Sequence, residues 1–465
     1  MRAMSSRPVP DTFEHSVLSR LFGILSHAAI GHAVLRNHNH LPVRLGARDL
    51  DLIVRPADLQ RAVAVIVRVA RDFGLQSADF YADERMTQLA FVGRRKQGLF
   101  DLKIDLFTSS QVFGIELMSA EEMLADLRWH NGIPVVSEHV QLLDKWLFHL
   151  AVGRPLHRKY DERFARIARE NRPSLLERLA PLLGRAEAER QLAAVAAGAA
   201  SLLAPLRPGP RIRMLARMWG RQDTNGLAST ARFIGERLRN RLSPHGLLVS
   251  VSGPDGSGKT TVIDLALAEL RQIYGTDSVD YHHFRPSVLP RIAEVARAAG
   301  GTDKVDTDYA RPHRARPSGV AGSLARLSYY GMDYVLGYFR VIRPALTDRR
   351  VVLFDRYYHD MICDPGRSRV RLPRWCLRAA ASLLPRPGIA FFVKVAPEVA
   401  YARKAELAVD QIADLNRRYG DLVRRRWMVE IGNHGPAEEA AAAIVDHIVA
   451  LRGKSAWRAL EARGR

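Results

Sequence analysis

Fifteen residues, Leu247 to Thr261 (LLVSVSGPDGSGKTT), suit one kind of chemistry, the gripping of a phosphate chain. Gly253, Gly258, Lys259 and Thr260 fill the pattern G-x-x-x-x-G-K-[ST], and Gly256, Ser257 and Thr261 complete the turn. Glycines let backbone N–H groups close on phosphate oxygens without a Cβ in the way, while a lysine supplies a compact charge for the β- and γ-phosphates. The Thr260 hydroxyl is a candidate Mg²⁺ ligand, so ATP and Mg²⁺ are the expected cofactors. A second candidate lies at Val351–Tyr358 (VVLFDRYY), where four apolar residues end in Asp355 and Arg356. There the carboxylate could hold Mg²⁺, directly or through water, and the guanidinium could grip a phosphate with two donors. A third is acidic. Asp49 and Asp51, two apart in an alternating run, would point the same way about 7 Å apart, with Asp105 as a third carboxylate and Asp101 as its competitor. Such a set could bridge Mg²⁺ on a nucleoside triphosphate.

These groups need elements to hold them. Leu247–Ser252, Val279–Phe284, Val351–Phe354 and Ile389–Val395 read as strands separated by helical segments, which argues for a parallel sheet with helices on both faces. The run starting at Val262 opens a helix whose positive end faces the phosphates. Towards the front, residues 49–54 and 100–106 alternate as strands with one buried face. Pro56–Phe73 has helical spacing, and Ser119–Glu122 forms a capping box. Between about 136 and 240 the chain is rich in Leu, Ala, Arg and Glu and reads as helical, broken at Pro205–Pro210. The domain expectation is therefore 1–135, a helical connector 136–244, a phosphate-loop domain 245–453 and a basic tail 454–465.

With 465 residues and 47% hydrophobic content, the chain has room for two or three cores. Two cysteines exclude a disulfide framework, and the opening residues lack the apolar run of a signal peptide, so a cytoplasmic location is expected. Net charge is +21, almost all of the excess being arginine. That balance points to an anionic partner or to guanidinium groups spread over solvated faces. No nucleic-acid-binding module accompanies it, and nucleic acid is not expected as the principal substrate. No uncharged stretch is long enough to cross a bilayer.

The loop GPDGSGK and the segment FDRYY resemble the G-x-D-G-x-G-K and D-R-Y/H motifs of the thymidylate kinase family, and Asp333–Leu346 is similar to that family's helix ending in R-P-A-L. Pro397–Lys404 looks like the step into its mobile lid. The resemblance covers about 245–453 and implies a P-loop kinase fold. It also implies ATP phosphates on Lys259 and the loop amides, Asp255 near the acceptor, Arg356 on the acceptor's phosphate, and Arg403 or Lys404 neutralising the transferring phosphoryl. Gly256 stands where some members carry a catalytic arginine, and Asp333–Tyr334 where the family has Asp-Arg. Tyr281, His282, His283, Tyr329, Tyr330, Tyr357 and Tyr358 could line a pocket or pack in the core. DRYYHD with the following Asp364–Arg369 resembles thymidylate-kinase-like proteins of bacterial surface-polysaccharide gene clusters. Residues 25–110, with Asp49, Asp51 and Asp105, resemble the nucleotidyltransferase superfamily, although Arg36-Asn37 replaces its usual Gly-Ser.

The expectation is thus an α/β protein in which an N-terminal α+β nucleotidyltransferase-like domain and a helical connector precede a C-terminal P-loop kinase domain. Its reaction would move the ATP γ-phosphoryl to a small anionic acceptor, most plausibly a nucleotide. The alternatives are nucleotidyl transfer to a sugar, lipid or protein by the front domain, and a non-catalytic ATP-binding switch in polysaccharide assembly. The oligomeric state is open, a homodimer included.

Overall fold

A computed structural model describes residues 12–463 apart from 84, 97, 204, 223–224, 243, 287 and 291–318. It divides into two compact units, Met1–Leu238 with Gly453–Arg465, and Arg239–Arg452. At the expected connector boundary Ser243 lies outside the described residues, as do residues 464–465 of the tail.

The first unit is built on a mixed seven-stranded sheet. Its strands are β1 (His32–Val34), β2 (Leu50–Val54), β3 (Gln76–Ala82), β4 (Met86–Arg95), β5 (Gly98–Phe107), β8 (Leu127–His130) and β9 (Ile133–Val136), and a separate hairpin pairs β6 (Ser109–Val112) with β7 (Ile115–Ser119). Spatial order is β3-β4-β5-β2-β1-β9-β8. Helices α1 (Phe13–His27) and α2 (Leu59–Asp72) bury Val17, Leu21, Leu25, Val63 and Ile66 in one cluster with Leu50, Leu52 and Val54. The odd residue Ile53 joins a different cluster, with Trp146 and Leu147 of α4 (Glu138–Val152). The expectation of one buried face for β2 is therefore corrected. All five of its residues are buried, because apolar clusters cover both sides of the sheet. Asp49 is also corrected, standing one residue ahead of the strand rather than on it.

Helices continue through α5 (Asp161–Glu170), α6 (Arg172–Leu183), α7 (Arg185–Ala196), α8 (Pro208–Trp219) and α9 (Asn225–Leu242). The capping box at Ser119 forms as expected, with Ser119 and Glu122 bonding each other's backbone N–H around the short helix α3 (Ala120–Leu124).

The second unit has a five-stranded sheet of order β11-β12-β10-β13-β14, using β10 (Leu247–Ser252), β11 (Val279–His283), β12 (Val351–Asp355), β13 (Ile389–Lys394) and β14 (Val429–Gly432). Every pairing is parallel. The first strand in sequence is central, with later strands on both sides, so the connections diverge at its C-terminal end. That is where an open parallel sheet leaves a crevice. Helix α10 (Lys259–Tyr274) leaves from this point, burying Val262, Ile263, Leu267 and Leu270. Among the described residues, no helix is long and apolar enough to cross a membrane.

Candidate functional site

The loop between β10 and α10 needs its glycines for different reasons. Gly256 and Gly258 have φ of +80° and +78°, in the region where a side chain is strained. A Cβ on Gly256 would run into the Ala400 carbonyl, so no arginine fits there. A Cβ on Gly253 would come within 2.7 Å of the Val393 carbonyl. Asn433 braces the turn by donating its amide to Ser257 O at 2.7 Å. The Ser257 hydroxyl is buried without a hydrogen-bond partner. Thr260 and Thr261 are exposed at the start of α10.

Lys259 closes the loop. Its ammonium lies 2.9 Å from Asp355 Oδ1, with both side chains under a tenth exposed. Burial and the nearby Arg356 push the lysine's pKa down, and Asp355 opposes them. Asp355 itself is held below the usual carboxylate range. Burial would raise it, but His283, whose Nδ1 is 3.2 Å from Oδ2, and Lys259 lower it further. Parallel pairing of β12 with both β10 and β11 sets this convergence, since His283 and Val251 both stand in register with Asp355.

Arg356 follows with φ +73°, its N–H still bonded to Val251 O at 2.8 Å. The left-handed turn sends its side chain beneath the loop, where it is 3% exposed. One Nη donates to Asp255 and the other to Asp360, both at 2.7 Å. Arg367 holds the other oxygen of Asp255. Although burial pushes the Asp255 carboxyl up, these two guanidiniums bring it down to about 2. Sequence reasoning missed Asp360 and Arg367. Asp360 also accepts from Ser252 Oγ at 2.6 Å and from the Tyr419 hydroxyl at 2.8 Å. The available signal was its place four residues after Arg356, one helical turn on.

Arg403 ends the helix Pro397–Arg403 with Nη1 3.1 Å from where a Cβ on Gly258 would sit. Its guanidinium therefore stands at the loop, whereas Lys404 pairs with Glu406 at 2.9 Å. On the β11 side, Arg285 reaches the fully buried Asp333 at 3.0 Å and lies 4.8 Å over the Tyr330 ring. A guanidinium thus meets Asp333 from a different element. Tyr334 is buried, with its hydroxyl bonded to Phe284 O at 2.8 Å. The aromatic set divides: Tyr357 and Tyr358 are core residues, His282 stacks on Phe354 at 5.0 Å, and Tyr281 remains exposed.

The loop fits a triphosphate and Mg²⁺. It offers a glycine cradle with no room for Cβ atoms, a buried lysine, an ionised carboxylate and a free threonine at a helix N-terminus.

In the first unit, Asp49, Asp51 and Asp105 line one cavity of about 390 Å³ with Arg36, Asp144 and Lys145. Parallel pairing places Asp105 directly beside Asp51, while Asp101 stands opposite Val92 on β4 and does not line it. Each of the three carboxylates already has a partner: Arg36 is 2.6 Å from Asp51, Lys103 3.4 Å from Asp49, and Gln88 donates to Asp105 at 2.8 Å. Burial raises the Asp105 carboxyl to about 6, against the pull of Lys103. Among the described residues, no group of three His, Cys, Asp or Glu side chains is arranged to hold a metal ion. The three acids therefore share one cavity, each with a basic or amide partner of its own.

No family model matches the sequence. A probable thymidylate kinase of Pyrobaculum aerophilum is 30% identical over 158 residues, which is 33% of this chain and 68% of that protein. The thymidylate kinase of Symbiobacterium thermophilum is 30% identical over 185 residues, 39% of this chain and 78% of that protein. Among solved structures, thymidylate kinase from Ehrlichia chaffeensis matches with a TM-score of 0.31 and 17% identity, covering 44% of this chain and 99% of its own. With about a third of its length matched at 30% identity across more than two thirds of a relative, the chain belongs to the thymidylate kinase family.

Proposed function

We propose that the second unit is an ATP- and Mg²⁺-dependent phosphotransferase that moves the γ-phosphoryl of ATP to a small anionic acceptor, most plausibly a nucleotide. The observation that carries this reading is the Lys259–Asp355 pair under a glycine loop with no room for side chains. In this reading Gly253, Gly256, Ser257, Gly258, Lys259, Thr260 and Thr261 cradle the phosphates. Thr260 and Asp355 would hold Mg²⁺, which supplies charge neutralisation when bound. Asp355 is ionised, as that role would need, and Lys259 beside it would be the group that reaches the phosphates. Arg356 and Arg367 each exchange a contact with Asp255 for the acceptor's phosphate, and Arg403 faces the transferring group. Positioning and neutralisation of this kind do most of the work in phosphoryl transfer.

The test is Lys259→Ala. It is expected to abolish ATP turnover while the thermal unfolding transition stays cooperative; normal turnover would refute the assignment.

A second reading rests on the cavity in the first unit, lined by Asp49, Asp51, Asp105 and Asp144 with the basic side chains Arg36, Arg85 and Lys145. It takes residues 25–110 as nucleotidyltransferase-like, attaching a nucleoside monophosphate to a sugar, lipid or protein. Label from α-labelled ATP should then reach an acceptor in a manner sensitive to Asp51→Asn and insensitive to Lys259→Ala.

A further inference from the structure

Helix α9 turns two different faces outward and inward. Its packed side carries Gly226, buried, Thr230, which accepts from Trp219 Nε1 at 3.3 Å, and Phe233, edge-on to Phe113 at 6.3 Å. Leu227, Ile234, Leu238 and Leu242 lie elsewhere, and each is more than half exposed. At 100° per residue these four fall within an arc of about 80°. Exposed arginines flank that arc, Arg237 and Arg241 on one side and Arg232 and Arg239 on the other. On the preceding helix α8, Ile212 is also more than half exposed. From residue 207 to 242 the sequence holds nine arginines against two acids, Asp223 and Glu236, a third of the whole chain's positive excess in 36 residues.

We propose that α9 is a membrane-surface anchor that lays its aliphatic stripe at the boundary of headgroups and acyl chains in an anionic bilayer. Aliphatic side chains gain from that boundary, and arginines bordering the stripe reach back to lipid phosphates with their stems still in the apolar layer. Charge complementarity selects this occupant. A second copy of the chain, docking stripe to stripe by a two-fold axis, would bring the flanking arginines of both helices together. Nucleic acid would suit the charge but has no use for four adjacent aliphatic side chains. The helix is too polar to span a bilayer, so the anchor lies on the surface.

The test is co-sedimentation of the full chain with phosphatidylcholine vesicles and with vesicles containing roughly one third phosphatidylglycerol. Binding is expected only to the anionic vesicles, weakening with salt. Ile234→Glu/Leu238→Glu and Arg237→Glu/Arg241→Glu should each lower it by about tenfold or more, with helical content and ATP binding unchanged. Retained ATP binding separates failure here from failure of the kinase reading. The proposal is overturned if no vesicle is bound or neutral vesicles bind equally well. It is equally overturned if the stripe variant instead breaks a dimer seen by light scattering, or if both variants lose binding to duplex DNA or RNA while vesicle binding is unaffected.

Discussion

The guanidinium of Arg356 and the carboxylate of Asp360 meet at 2.7 Å with 3% and 1% of their side chains exposed, four residues apart across the junction of β12 and the following helix Tyr358–Cys363. The pair couples the loop to the core: Arg356 continues to Asp255, and Asp360 to Ser252 and Tyr419. Removing one charge from such a pair leaves the other buried with half of its compensation.

Asp360→Asn is therefore expected to destabilise the second unit by about 3 kcal/mol, read as a lower denaturation midpoint. Tyr419→Phe, which deletes a single hydrogen bond to the same carboxylate, should cost about 1 kcal/mol. Equal losses in the two variants would show that the network does not centre on Asp360.

Gly256→Arg tests how closely the loop is packed against its surroundings. Here the Ala400 carbonyl occupies the Cβ position and φ is +80°. The backbone conformation alone costs about 1–2 kcal/mol for a residue with a side chain. The collision would also move the loop or the helix Pro397–Arg403. ATP affinity should fall together with the unfolding midpoint. A variant with improved turnover would mean that the helix yields more readily than its packing suggests.

Much of the second unit was legible because its signals are local. The apolar strand, glycine turn and lysine occupy consecutive positions, and the buried run ending in Asp355 needs only period and hydrophobicity to be read. What escaped was set by partners distant in sequence. Arg367 reaches Asp255 from 112 residues away, and Arg285 reaches Asp333 from 48, neither spacing carrying a periodic trace. In the front unit, the alternation around Asp51 suggested one wet face. Ile53, on the same side as Asp51, is buried instead, because α4 and its neighbours cover the sheet beyond the cavity. Alternation offered both Asp105 and Asp101 as the third carboxylate, and it is the pairing of β2 with β5 that stands Asp105 beside Asp51; the basic and amide partners Arg36, Lys103 and Gln88 depend on side-chain directions that alternation does not give.

Asp105 should make the first unit's stability depend on pH with the reverse of the usual carboxylate sign. Burial raises its folded pKa to about 6 from an ordinary 3.8. Between those values the folded state holds a proton that the unfolded chain has lost, so stability falls as pH rises from about 4 to above 6. A shift of about two pKa units corresponds to at most about 3 kcal/mol. Asp105→Asn keeps an acceptor for Gln88 and removes the titration. Chemical denaturation at about pH 4.5 and pH 7.5 should show the variant gaining on the wild type at the higher pH. A constant difference between the two would remove Asp105 from the account.

Arg403 offers the sharpest separation of binding from chemistry. Its guanidinium stands at Gly258, and it has no carboxylate partner among the described residues, whereas Lys404 is paired with Glu406. Gly256 leaves no room for an arginine within the loop itself, so in the proposed reaction Arg403 adds its charge to that of Lys259 at the transferring group. A group that meets charge developing only in the transition state raises kcat with little effect on ground-state binding. Arg403→Ala is accordingly expected to lower kcat by about 10²–10³-fold, with the KM for ATP changed by no more than about threefold. Lys404→Ala should have a far smaller effect on kcat. Loss through KM alone would place Arg403 on the bound nucleotide rather than on the phosphoryl in flight, and a larger effect of Lys404→Ala would move the charge one residue along the chain.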